Sequence, residues 1–157
     1  MDIKNEEFLL FLQCTEKCTL RYLCIGGYAV NYQGFHCTTD VIDICILPTK
    51  ENKIALLNTA KCMRCSDLKI SMIASEDFTT YFMCIAGSRP NVIDILIKVH
   101  DRLFFVEAGK NKITHRINEE TILKIVSYHF LKQMKLLSRR HKNLWDIARL
   151  EEVRNSK

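Results

Sequence analysis

Apolar and polar positions recur along this chain in two periods, one helical and one extended. From Glu6 to Lys17 the residues Phe8, Leu9, Phe11, Leu12 and then Thr15 follow the three- and four-residue spacing of a helix with one buried face. A short apolar run, Leu20 to Ile25, breaks at Gly26-Gly27, and a helix-compatible segment follows from Tyr28 to Gln33. After a polar turn from Gly34 to Asp40, a second apolar run, Val41 to Leu47, carries one carboxylate, Asp43, in its middle. The pattern predicts strand, helix, strand. Pro48 ends the second strand, and Thr49 is placed to cap a helix from Lys50 to Cys62 that contains Ile54, Leu56, Leu57 and Ala60, with Asn52 where a capping box prefers Glu.

The pattern weakens between Ser66 and Ser75, then resumes with two apolar runs, Phe78 to Ala86 and Val92 to Val99. Gly87-Ser88-Arg89-Pro90-Asn91 lies between them and reads as a hairpin connection. Leu103 to Val106 and Ile122 to Val126 predict two further short strands. Ser127 is placed to cap a helix reaching Leu137, and a last helix from Lys142 to Val153 turns Leu144, Ile147, Ala148 and Leu150 inward with Trp145 at its edge. The expectation is an α+β fold, a small mixed sheet flanked by helices, in one domain: a sheet core over 1–126 and helices over 127–157.

With 157 residues, 48% hydrophobic residues and two prolines, the chain is expected to be compact and ordered. MDIKNEEFLLFLQ puts acids before its apolar part, unlike a secretory signal, and no apolar run approaches the roughly 18 residues of a membrane helix, so a cytoplasmic protein with no membrane partner is expected. In that compartment the eight cysteines read as reduced thiols, small and mostly buried. Two spacings stand out: Cys14 and Cys18 share a helix face, and Cys62 and Cys65 form a C-x-x-C. A zinc site needs about four ligands, so zinc requires the fold to bring these pairs together and is disfavoured. Charge divides unevenly. Nine Lys or Arg and three acids lie between Lys124 and Lys157, a net of +6 in a chain of net +5. Lys135 and Arg139, one helical turn apart, are either a solvated face or a pair that reaches phosphates or an acidic partner.

The candidate chemistry lies in the first strand–helix–strand unit. Gly26 and Gly27 allow a tight turn and free backbone N–H groups at a helix start, an arrangement that suits phosphate. Val-Ile-Asp-Ile occurs twice, around Asp43 and around Asp94, each time placing a carboxylate in a β-branched run. An ionised carboxylate in such a strand needs a cation or several donors, so the two either share a metal or cap local backbone. The five histidines are scattered, and neither a nucleophile elbow nor a Walker loop is present.

These residues, GGYAVNYxGFHxTTxxxDI, resemble the active-site pattern of minimal nucleotidyltransferases, a bacterial group related to abortive-infection and toxin–antitoxin nucleotidyltransferases. The likeness extends to VIDIL around Asp94 and to LKxMKLxSRRxKxLWDIARLEE near the C-terminus. It implies the DNA polymerase beta-like nucleotidyltransferase fold, transfer of NMP from an NTP to a hydroxyl, and Mg²⁺ or Mn²⁺ held by Asp43 and Asp94, with Asp40 as a third catalytic carboxylate. Gly26, Gly27, Thr38, Thr39, Lys135 and Arg139 would hold the nucleotide. A protein of the toxin or antitoxin type, or RNA, is the implied partner, and DNA is not. The family pattern H-G-x-x-R-T-T-x-D-x-D-I is incomplete here: Gln33 stands at its histidine, Cys37 at its arginine and Val41 at its first aspartate. Gln133, Leu137 and Asn143 likewise stand where Asp, Arg and Asp are expected. Asp40 lies three residues from Asp43, so it reaches the same sheet face only through a bulge or the strand's loose end. Two readings follow, a transferase impaired at Val41 and a non-catalytic nucleotide-, RNA- or protein-binding module.

Overall fold

The computed structural model describes residues 5–36, 39, 41–78, 83–88, 91–97, 105–138 and 140–156, with the backbone alone over 83–88 and at Asn91. Helix α1 (Glu6–Lys17) starts where the Asn5 side chain accepts hydrogen bonds from the N–H groups of Glu7 and Phe8, a cap reinforced by acids in the first turn. Strand β1 (Tyr22–Ile25), helix α2 (Gly26–Tyr32) and strand β2 (Val41–Ile46) follow. Helix α3 (Lys50–Cys62) is capped by Thr49, whose Oγ1 accepts from the Asn52 N–H. The Asn52 side chain turns inward instead of completing a capping box, accepting from Arg21 N–H and donating to the carbonyls of Arg21 and Leu47. It thereby ties the start of α3 to the chain entering β1.

Helix α4 (Asp67–Ser75), strands β3 (Met83–Ser88) and β4 (Asn91–Leu96), helix α5 (Phe105–Lys110), strands β5 (Ile113–Arg116) and β6 (Ile122–Ile125), and helices α6 (Tyr128–Ser138) and α7 (His141–Asn155) complete the order. The six strands form one mixed sheet in the order β3-β4-β2-β1-β6-β5. β1 and β2 are antiparallel neighbours at its centre, while β2 with β4 and β1 with β6 run parallel. The strands' two-residue period sorts their side chains onto two faces. On one face lie Tyr22, Cys24, Ile42, Ile44, Ile93 and Ile95, all buried. Helix α1 covers this face, with the Phe11 ring 6.3 Å from Tyr22 and the Phe8 ring 6.4 Å from Tyr28 of α2. On the other face, Leu23, Ile25 and Cys45 meet Phe105 and Ala108 of α5 and Phe130 and Met134 of α6 around a small cavity of about 20 Å³. Asp43 shares this second face.

Several expectations need correction. Phe105 and Val106, read as part of a strand, begin α5, where Glu107, Ala108 and Lys110 favour a helix. Gly87, Ser88 and Asn91, read as a turn, belong to β3 and β4, while the Arg89-Pro90 between them is outside the described residues. The weak stretch after Ser66 forms α4, and Ile113–Arg116 adds the edge strand β5. Ile54 is 59% and Leu144 44% exposed, and Ala148 also faces outward; Asp146 takes an inward place in α7 beside Ile147 and Leu150. The cysteines are not all thiols, because Cys14 of α1 and Cys62 of α3 are joined in a disulfide with Cα atoms 5.8 Å apart. The fold thus brings the two cysteine pairs into one region as a cross-link, with Cys18 and Cys65 left free. Among the described residues no helix is long and apolar enough to cross a membrane.

Candidate functional site

A cleft of about 510 Å³ opens on the second sheet face, between the start of α2, strand β2 and the helices α6 and α7. Its lining includes Gly26, Gly27, Thr39 and Asp43 on one side and Lys135, Arg140, Lys142, Asn143 and Asp146 on the other. The predicted glycine pair, strand carboxylate and basic helix therefore meet at one place.

Glycine is required at the first of the two positions. Gly26 has φ +66, the left-handed region, and an added Cβ would stand 1.8 Å from Asp43 Oδ2. At Gly27 the added atom would meet the Thr39 side chain at 3.0 Å. The Gly27 N–H donates to the Asp43 carboxylate. The first turn of α2 therefore holds an anion already, and that anion is Asp43 itself. Thr39 Oγ1 donates to the Val41 carbonyl at 2.9 Å, tying Thr39 to the first residue of β2.

Asp43 pairs in register with Asp94 on the parallel strand β4, as Val41 does with Val92. Directly paired residues point to the same face, so the two carboxylates stand side by side. Burial, then the Asp94 charge, push the Asp43 carboxyl up to about 6, against the weaker opposing pull of the Gly27 N–H, Lys135 and Lys142. Burial also raises the Asp94 carboxyl. Asp94 lies one strand outward from the cleft lining. A pair of neighbouring carboxylates that repel each other is a donor set suited to one divalent cation, and in this respect the residues fit the implied metal. Among the described residues no group of three or more His, Cys, Asp or Glu side chains converges. The side chain at Val41, two residues before Asp43 on the same face, supplies no oxygen.

On the opposite wall the Lys135 side chain is buried. Its Nζ donates to Asp146 Oδ2 at 2.7 Å and to Asn143 Oδ1 at 3.2 Å. Asp146 is 1% exposed, and its Oδ1 has no hydrogen-bond partner among the described residues. Asn143 is anchored in turn on the Ser138 hydroxyl. Arg140 and Lys142 make no ion pair among the described residues and line the cleft with their charge available. Lys135 thus lines the cleft and is not a solvated face, and its charge is engaged by Asp146. Thr38, Asp40 and Arg139, and Cys37 with them, lie outside the described residues. Asp146 and Arg140 were not singled out from the sequence. The available signal was a carboxylate on the buried stripe of α7, in step with Leu150 four residues on.

Compared with known protein-family models and with curated proteins, the sequence matches none.

Proposed function

We propose that this chain is a nucleotidyltransferase-fold protein that holds a nucleoside triphosphate in the cleft between Gly26-Gly27 and α6–α7. Its power to transfer NMP to a hydroxyl is reduced by Val41. The observation that carries the reading is the register of Asp43 with Asp94 beside Gly26, a position that only glycine fits. Two carboxylates on neighbouring parallel strands, next to a turn where only glycine fits and opposite a basic wall, make an arrangement for a phosphate ester and a divalent cation.

In this reading Asp43 and Asp94 hold Mg²⁺ or Mn²⁺, which when bound neutralises phosphate charge and orients the attacking hydroxyl. The chain's own residues do the rest. Arg140 and Lys142, which make no ion pair among the described residues, offer cations to the triphosphate, and Lys135, fixed by Asp146 and Asn143, adds a positioned one. The Gly27 N–H holds the Asp43 carboxylate at the turn, where it would meet a bound cation. Val41 favours a second reading, a nucleotide-binding module without turnover, because a metal carboxylate lost at that position costs several kcal/mol of charge stabilisation, each 1.36 of them a tenfold loss in rate.

The test is incorporation of labelled ATP, GTP, CTP and UTP into lysate RNA and protein with Mg²⁺ or Mn²⁺, comparing the natural chain with Asp43→Ala and Val41→Asp. Slow transfer by the natural chain, lost in Asp43→Ala and enhanced in Val41→Asp, is the expected result. Binding of labelled ATP without transfer by any variant would select the module reading. Neither binding nor transfer would overturn both.

A further inference from the structure

Four cysteines at the ends of α1 and α3 form an arrangement that nucleotide binding does not use. Cys14 lies in the last turn of α1 and Cys62 is the final residue of α3, and their disulfide ties the two helices together. Cys18 and Cys65 carry free thiols, four residues from Cys14 and three from Cys62. Cys62 and Cys65 flank the turn Met63-Arg64, where Arg64 takes the left-handed φ of +56 and the Cys65 N–H donates back to the Ala60 carbonyl at 2.9 Å. The fold-back keeps Cys65 on the end of α3, against the core. C-x-x-C is a spacing at which the two sulfurs can bond across a turn.

The bonded sulfurs differ in access. Cys14 is 1% exposed, while Cys62 is half-buried. Exchange needs a thiolate to reach one sulfur of the bond, so attack falls on Cys62 and Cys14 is the group that leaves. Cys18 would have to attack the enclosed sulfur, whereas Cys65 stands beside the accessible one. Burial raises the Cys65 thiol, Lys69 pulls it down and Glu7 adds a smaller push upward. Lys61, Arg64 and Lys69 are exposed around this point, and their charge favours an attacking thiol that is itself anionic. Cys62 closes a helix, where the dipole disfavours a thiolate. A state that keeps Cys62 in a disulfide is therefore favoured over one that frees it.

We infer that Cys62 is the point of attack in a disulfide exchange that moves the cross-link from Cys14–Cys62 to Cys62–Cys65, started by an anionic low-molecular-weight thiol. The small thiolate attacks Cys62 Sγ, a mixed disulfide forms there, the Cys14–Cys62 bond breaks, and Cys14 leaves as a thiolate that takes a proton from water. Cys65, having lost its proton to water, then attacks Cys62 Sγ, forms the Cys62–Cys65 bond and expels the small thiolate. The chain gains and loses no electrons, and the small thiol is regenerated. The effect is to untie α1 from α3. Since Phe8 of α1 meets Tyr28 of α2, with ring centroids 6.4 Å apart, untying α1 also loosens the start of α2. That last consequence, weaker nucleotide binding, rests on the nucleotide reading of the cleft.

The full oxidised chain is incubated at mildly alkaline pH with glutathione, an anionic monothiol, or with cysteamine, a cationic one, at equal thiolate concentration. Free thiols are then alkylated, the disulfides are mapped by mass spectrometry, and near-UV circular dichroism follows the fold. Over minutes to hours the natural chain should gain Cys62–Cys65 and an alkylated Cys14, several-fold faster with glutathione than with cysteamine. Cys65→Ser should stop at a glutathione adduct on Cys62, and Cys18→Ser should exchange like the natural chain. An adduct on Cys14, a new disulfide elsewhere in place of Cys62–Cys65, equal rates with the two thiols, or exchange seen only after the near-UV signal is lost would overturn the proposal. Labelled ATP binding, measured in parallel, should fall several-fold as exchange proceeds. Because the exchange is read by mass, a chain that exchanges as expected and never binds ATP overturns the nucleotide reading alone, and one that binds ATP without exchanging overturns this inference alone.

Discussion

Asp43 and Asp94 stand opposite each other on adjacent parallel strands, where burial raises both carboxyls and the Asp94 charge raises Asp43 further. The consequence for stability has a definite sign. Asp43 titrates at about 6 against an ordinary value of 3.8, so between these values the folded chain keeps a proton that the unfolded chain has released. Stability therefore falls as pH rises through that window, and the whole penalty is present above it. Asp43→Asn is expected to raise stability at pH 7 by on the order of 2 kcal/mol and to have little effect below the ordinary carboxylate value. Urea unfolding of the two proteins across pH checks this, and an equal effect at all pH values would contradict it. Asp94→Asn should lower the Asp43 midpoint, read from its carboxyl carbon by NMR. Because a cation competes with the proton, Mn²⁺ affinity should weaken as pH drops below about 6.

Gly26→Ala tests how closely the turn and the carboxylate are matched. The substitution strains a residue at φ +66 and places a methyl 1.8 Å from Asp43 Oδ2, so either the turn or the aspartate moves. A loss of about 2 kcal/mol or more is expected, combining the backbone cost with the clash. Asp43→Ala in the same background should recover the part due to the clash, leaving about 1 kcal/mol from the backbone. Additive effects in that double-mutant cycle would mean that the two residues do not meet.

Much of this arrangement was readable from local pattern. The limits of α1 and α3 follow from their periodicity and caps, with Thr49 where the spacing put it. The two Val-Ile-Asp-Ile runs announced that Asp43 and Asp94 are equivalent strand positions, and the sheet pairs them in register. What local pattern could not supply was pairing at long range. Cys14 and Cys62 look like unrelated core positions until α1 lies against α3. Asp146 reads as one acid among basic residues until Lys135 is found against it. Short elements failed for a different reason: Phe105–Lys110 and Ile113–Arg116 contain too few residues for a period to be distinguished.

The Cys14–Cys62 disulfide closes a loop with a sequence separation of 48 and joins α1 to α3. Its main effect is to restrict the unfolded chain, so Cys62→Ala, or reduction, is expected to lower stability by about 2–5 kcal/mol. Chemical unfolding with and without reductant measures the difference, and Cys62→Ala should be insensitive to reductant. Since Phe8 of α1 contacts Tyr28 of α2, loosening α1 should also weaken nucleotide binding at Gly26-Gly27. An unchanged unfolding midpoint on reduction would show that the cross-link carries no stability.

Lys135 and Asp146 separate a structural ion pair from a functional one. The pair is buried on both sides, and Asp146 retains an oxygen with no partner among the described residues, so removing the lysine alone leaves a carboxylate almost without compensation. Lys135→Met should cost about 3–5 kcal/mol, whereas Lys135→Met with Asp146→Leu should recover most of the loss, since an apolar pair of similar size removes the need for charge. Nucleotide binding should respond differently. The double variant, although stable, lacks the positioned cation facing the cleft, and its ATP affinity should remain at least several-fold below that of the natural chain. Measuring unfolding and ATP binding on the same three proteins distinguishes the roles. Recovery of both stability and affinity in the double variant would make the pair purely structural and leave Arg140 and Lys142 as the cations that meet phosphate.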